Sequence, residues 1–213
     1  MIGRKQGGHG QPALQLEVQP DGAFAIGLNV DRDHLALVTL DLAGVVRSRT
    51  TREIAYPLPS DMVPFVREEV EQAFIQGRIQ RDRVLGIGVA IPDDLGRIEL
   101  PDRPAGYEAW TDADIAAMVA RELPWPLHCD NDAAAAALGE AEYGTAFANP
   151  SFFYLLISAG LGGGVVIDRS YHRGSTAPSG EIGLMPDQPH PGASVQDTVS
   201  LPALLARLRA AGQ

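Results

Sequence analysis

The sequence predicts an α/β fold with a mixed sheet, and three observations carry that expectation. Three β-branched runs, 23–30, 34–42 and 45–54, follow closely on one another, and Ala43-Gly44 supplies a turn between the last two. Helical periodicity then alternates with apolar runs, giving the order βββαβ–αβα as far as residue 144. Past residue 145 strands restart around a glycine cluster (Gly160, Gly162, Gly163, Gly164), with no helical pattern between them.

Taken in order, residues 1–20 are rich in Gly, Gln and Pro, and their composition suits a flexible arm or linker. Residues 60–77 place Val63, Val66, Val70 and Phe74 at helical spacing; Ser60 or Asp61 can cap the start and Gly77 the end. The run 84–92 is continuously apolar, as in a strand covered on both faces. Residues 93–110 carry the turn residues of a binding loop. A helix over 111–124, with Asp or Thr at its start, closes at Pro124. A short strand, PLHCD, then leads into an alanine-rich helix ended by Gly144. Strands at 151–158 and 164–169 follow, then the run RSYHRG, an irregular stretch at 184–198 and a final amphipathic helix, LPALLARLRAAG. The expected division is an arm (1–20), an α/β lobe (21–145) and part of a second lobe (146–213), so that the chain reads as a fragment.

The 213 residues suffice for a substantial core, and 45% apolar with 21% charged residues is ordinary for a globular protein. A formal charge of −10 argues against direct DNA binding by this chain, because backbone phosphates require Lys and Arg. There is neither an 18-residue uncharged apolar run nor a signal-peptide core, so no membrane partner and a cytoplasmic location are expected. One cysteine, Cys129, rules out an internal disulfide and fits a reducing compartment.

Chemistry concentrates at Asp130, Asn131 and Asp132, which open the alanine-rich helix. Three residues able to cap exceed what a cap needs. Asp132 lies in the first turn, where the positive end of the helix favours a carboxylate able to accept a hydrogen bond or a proton from a ligand hydroxyl. The alternative is that Asp130 or Asn131 merely caps the helix. Glu181, within SGEIG, is either a turn residue or a second hydroxyl acceptor. The glycine cluster is not a P-loop, since no Gly-Lys-Ser/Thr follows, nor a Rossmann turn, since a strand follows. Gly160, Gly162 and Gly164 thus form either a phosphate-loop-like hairpin presenting backbone N–H groups or a turn that permits close packing. Cys129, beside His128, reads as a buried strand residue, and no metal site is expected.

Together the stretches AIGLNVDRDHLALVTLDLAGVV, GIGVAIP, Trp110-Thr111-Asp112, CDNDAAAAALGEAEYG, ISAGLGGGVVID and RGSTAPSGEIG resemble the ROK family of repressors, open reading frames and kinases. That resemblance covers most of 21–184. It implies an actin/hexokinase-like (ribonuclease H-like) fold, with one lobe complete and part of a second. By resemblance Asn131, Asp132 and Glu181 contact sugar hydroxyls, and Asp132 would be the catalytic base if the chain were a kinase. The arm GRKQGGHGQPA resembles the linker that precedes the sugar lobe in ROK regulators, although no helix-turn-helix is present. A homodimer or higher oligomer is expected.

The departures from the family pattern bear on chemistry. ROK kinases hold ATP phosphates and Mg²⁺ with an Asp-x-Gly-Gly-Thr loop, which here reads Asn29, Val30, Asp31, Arg32, Asp33. The threonine of the second phosphate loop is Ala159. The family's zinc histidine corresponds to Leu184, and 186–197 contain no cysteine, so no zinc is expected. A second sugar-contacting glutamate would fall near Gln196. These readings imply a sugar-effector-binding domain of a ROK-type transcriptional regulator, without kinase activity and with no cofactor. The alternatives are a divergent ATP-dependent kinase for a hexose or N-acetylhexosamine, or a structural or dimerisation fragment with no ligand.

Overall fold

The computed structural model describes residues 3–4, 14–93, 95–97, 103–144, 149–175 and 179–212. Most of the expected flexible arm, including Lys5, therefore lies outside the described residues. Within it β1 (Gly3–Arg4) pairs antiparallel with β2 (Leu14–Gln15).

The main sheet has the order β5-β4-β3-β6-β7. Strands β3 (Phe24–Val30), β4 (His34–Asp41) and β5 (Val46–Glu53) form an antiparallel meander. Strands β6 (Val84–Ile91) and β7 (Leu127–Asn131) then add in parallel to β3. Alternation fixes the register: Phe24, Ile26, Leu28 and Val30 of β3 face the same core as Leu35 and Leu37 of β4. Helix α1 (Pro59–Gly77) covers that face with Phe65, Val66, Val70 and Phe74, and α2 (Ile115–Glu122) extends the cover with Ile115 and Val119.

The opposite face corrects one expectation. Among the described residues β6 is covered on one side only: Leu85 is 66% exposed, and a methyl placed on Gly88 would meet nothing within 4 Å. Gly27, Ala36, Gly88 and Ala90 floor an open groove of about 590 Å³. The ends of α1 also differ from the expected caps. The helix starts with Pro59 after Leu58, whose N–H donates to the Asp61 carboxylate at 2.7 Å. Gly77 remains helical, and Arg78 takes the left-handed conformation (φ 54°) that ends it. In α2 the expected cap is Asp114, whose carboxylate accepts from the Ala117 N–H.

A second, three-stranded antiparallel sheet has the order β10-β9-β8, with β8 (Phe152–Ile157), β9 (Leu161–Ile167) and β10 (Ser170–Tyr171). Helix α3 (Asp132–Tyr143) packs on it: Ala137 and Ala141 meet Val166, Phe152, Tyr154 and Tyr171. The glycine cluster is placed differently from a hairpin turn. The turn is 158–160, and Gly162, Gly163 and Gly164 lie inside β9. A methyl on Gly164 would collide with the Ala137 side chain and stand 3.1 Å from the Ala133 carbonyl oxygen; one on Gly162 would be 3.2 Å from the Ala133 methyl. The alanine-rich helix and the glycine-rich strand are therefore one packing device that lets helix and sheet approach closely. After β10 the chain forms a 3-10 turn (Ile182–Leu184), a short α4 (Gln196–Val199) and α5 (Leu201–Ala210). The amphipathic α5 buries no residue, and Leu201, Leu204, Leu205 and Leu208 are exposed.

Candidate functional site

A cleft of about 280 Å³ opens between the two sheets, and its lining includes Arg32, Asp93, Arg97, Asn131, Asp132, Gly160, Glu181 and Gln196. Its floor lies where parallel strands end. Asn131 is in register with Ile91 at the carboxyl ends of β7 and β6, and the loop Asp31–Asp33 leaves the same end of β3. Ligands in open α/β sheets settle outside these strand ends, because the loops there carry free polar groups.

All three sugar-contact candidates, Asn131, Asp132 and Glu181, line this cleft. Asn131 caps α3: its side-chain oxygen accepts from the Ala134 N–H at 3.0 Å. Asn131→Ala is expected to destabilise the protein by about 1 kcal/mol, read as a lower midpoint in chemical denaturation; an unchanged midpoint would refute the capping role. Asp132 follows in the first turn and accepts from the Ala133 N–H at 2.7 Å. Burial nevertheless pushes its carboxyl from 3.8 up to about 6; the Asp31 and Asp93 carboxylates add to the rise, while the Ala133 N–H and Arg32 oppose it. Desolvation thus outweighs the helix end that the sequence suggested would hold it ionised. Asp132 titrates just below neutrality. In the ligand-free fold its ionisation is a cost that is absent below the ordinary carboxylate range and fully present above about pH 6.

Asp130 is separate from the cleft: it pairs with Arg173 and faces the groove on the other side of the sheet. Cys129 is half-buried, and burial raises its thiol pKa. Glu181 follows Gly180, whose φ of +96° and close contact with the Gly163 backbone admit only glycine, so the turn fixes Glu181 at the cleft. Of the glycines, Gly160 and Gly162 line the cleft, and Gly164 lies behind them under α3. Leu184 also lines it and is 65% exposed.

Beyond the residues expected from the sequence, the cleft is also lined by Arg32, Asp93 and Arg97. Arg32 is 5% exposed, and both its terminal nitrogens stand 3.6 Å from where a side chain on Gly160 would begin. The Gln196 side-chain oxygen is 3.8 Å from the same point. Asp31 is also buried, accepts from the Arg32 N–H at 2.7 Å and lies 3.8 Å from its guanidinium. The two loops that the sequence suggested for phosphates do meet, and a guanidinium fills the space between them. The signal available was Arg32 itself, a charged residue at the end of a fully apolar strand face.

The chain is similar to known proteins in sequence and in fold. The model of the ROK family matches residues 25–194. An uncharacterized protein of Sinorhizobium fredii is 29% identical over 211 residues, covering 98% of this chain and 52% of its own length. The xylose repressor of Bacillus subtilis is 25% identical over 187 residues, 86% of this chain and 48% of that protein. The chain spans about half the length of these curated relatives. Among solved structures, the ROK hexokinase from Thermus thermophilus superposes with a TM-score of 0.66 at 23% identity, over 89% of this chain and 64% of the other. A ROK transcriptional regulator homologous to the Escherichia coli MLC protein gives 0.67 at 21%, over 95% and 54%. The fold is thus the actin/hexokinase-like α/β architecture common to ROK sugar kinases and regulators, and the chain belongs to the ROK family.

Proposed function

We propose that the chain is the sugar-effector-binding part of a ROK-type transcriptional regulator and does not phosphorylate its sugar. The observation that carries the reading is Arg32, packed on Gly160 where the family's kinases would hold nucleotide phosphates. Asn29 replaces the loop carboxylate that resemblance assigns to Mg²⁺, and phosphoryl transfer depends on charge neutralisation at that place. What remains is a set of hydroxyl-binding groups (Asn131, Asp132 and Glu181) on two elements facing one cleft. Xylose repressors among the relatives support a sugar effector, and with a net charge of −10 this chain is not itself assigned to DNA.

The second reading, a divergent sugar kinase, draws on Asp132: a carboxyl that titrates near 6 suits a general base. A coupled assay with ATP and a panel of pentoses, hexoses and N-acetylhexosamines separates the two. The expected result is calorimetric binding of a sugar with no turnover above a no-protein control. Turnover abolished by Asp132→Asn would establish the kinase instead.

A further inference from the structure

We propose that Arg32 is a positioning residue of the sugar cleft: its buried guanidinium keeps the Asp132 carboxylate in the hydrogen-bond-accepting form that a sugar hydroxyl needs, and so sets the pH dependence of binding. The proposal rests on the sugar-binding reading above and gives it a control element. The root of Arg32 is fixed, since its carbonyl accepts from the Tyr56 N–H at 2.7 Å and the next carbonyl, Asp33, accepts from the Ile54 N–H at 3.1 Å. Its tip is held against Gly160, and its charge persists at every accessible pH.

Among the described residues, the charges around Asp132 come from three segments. Asp31 and Arg32 stand on the β3–β4 loop, Asp93 and Arg97 follow β6, and Glu181 faces in from the turn after β10. Asp31 and Asp93 drive Asp132 towards protonation, as does its own burial, and Arg32 opposes them. Without Arg32 the carboxyl would keep its proton to higher pH. It would then lose the charge-assisted acceptance that distinguishes a carboxylate from a neutral acid.

The test uses the full chain and a readout independent of ligand, the carbon-13 resonance of the Asp132 carboxyl, assigned by its loss in Asp132→Asn. The wild-type midpoint is expected near 6. Arg32→Met should raise it by about one unit, and Arg32→Lys should return it towards the parent. Calorimetry with D-xylose and D-glucose between pH 5 and 8.5 should follow the same midpoints. Arg32→Met then binds about tenfold more weakly at pH 5, about twofold more weakly at pH 7, and recovers at pH 8.5. Thermal melts identify a variant that fails to fold, in which case the neutral Arg32→Gln against Arg32→Lys carries the comparison. A midpoint unmoved by Arg32→Met, or a loss of affinity equal at every pH, would show a packing role only and overturn the proposal, leaving sugar binding intact. Absence of binding to any sugar of the wider panel would overturn the sugar reading and this proposal together.

Discussion

Asp132→Ala is expected to weaken sugar binding about ten- to a hundredfold, from the loss of one charge-assisted hydrogen bond worth roughly 1.5–3 kcal/mol. The residue stands at the carboxyl end of β7, faces the cleft, and its carboxylate accepts from the Ala133 N–H. A sugar hydroxyl would take up acceptor capacity that burial now leaves under-used. The fold should survive: alanine continues an alanine-rich helix, the cap belongs to Asn131, and the cost of ionising a buried carboxyl is removed. Glu181→Ala should act in the same direction. Asp112→Ala should not, because Asp112 is exposed on the 3-10 turn Tyr107–Asp112, outside the cleft. Calorimetry against pentoses, hexoses and N-acetylhexosamines, with melts as the folding control, decides. A sugar bound equally well by parent and Asp132→Ala would show that the site is misassigned.

Gly164→Val should lower stability by about 3 kcal/mol, roughly 10 °C in Tm, although valine is a far better strand former than glycine. Local preference and packing make opposite predictions here, and the contact decides between them. The first side-chain carbon alone would strike Ala137 and crowd the Ala133 carbonyl, so α3 must lift from β9. Because Asn131 and Asp132 begin α3, sugar affinity should fall with the displacement. A melt equal to or above the parent's would mean that helix and sheet do not pack this closely.

These two cases mark how far the sequence could be read. The meander 23–54 and the helix 60–77 were legible because alternation and helical spacing each bury a single face. Asn131 and Asp132 were legible as cap or ligand because polar residues at a strand-to-helix junction have few other uses. The open face of β6 was not legible: a continuous apolar run records what a strand can bury, not whether a neighbour is present. Nor was the packing role of Gly162 and Gly164, since glycines before a strand signal a turn and a close contact equally well.

By itself the sequence determined the α/β order, the main core and the family, because periodicity and contiguous motifs are local properties of the chain. Only the tertiary structure decided the site's electrostatics. Asp132 lies a hundred residues from Asp31 and Arg32, and its proton affinity depends on burial and on charges that folding brings beside it. Helix position predicts an acid held below its ordinary value, yet the assembled cleft raises it to about 6, because desolvation in a narrow site outweighs one favourable helix end.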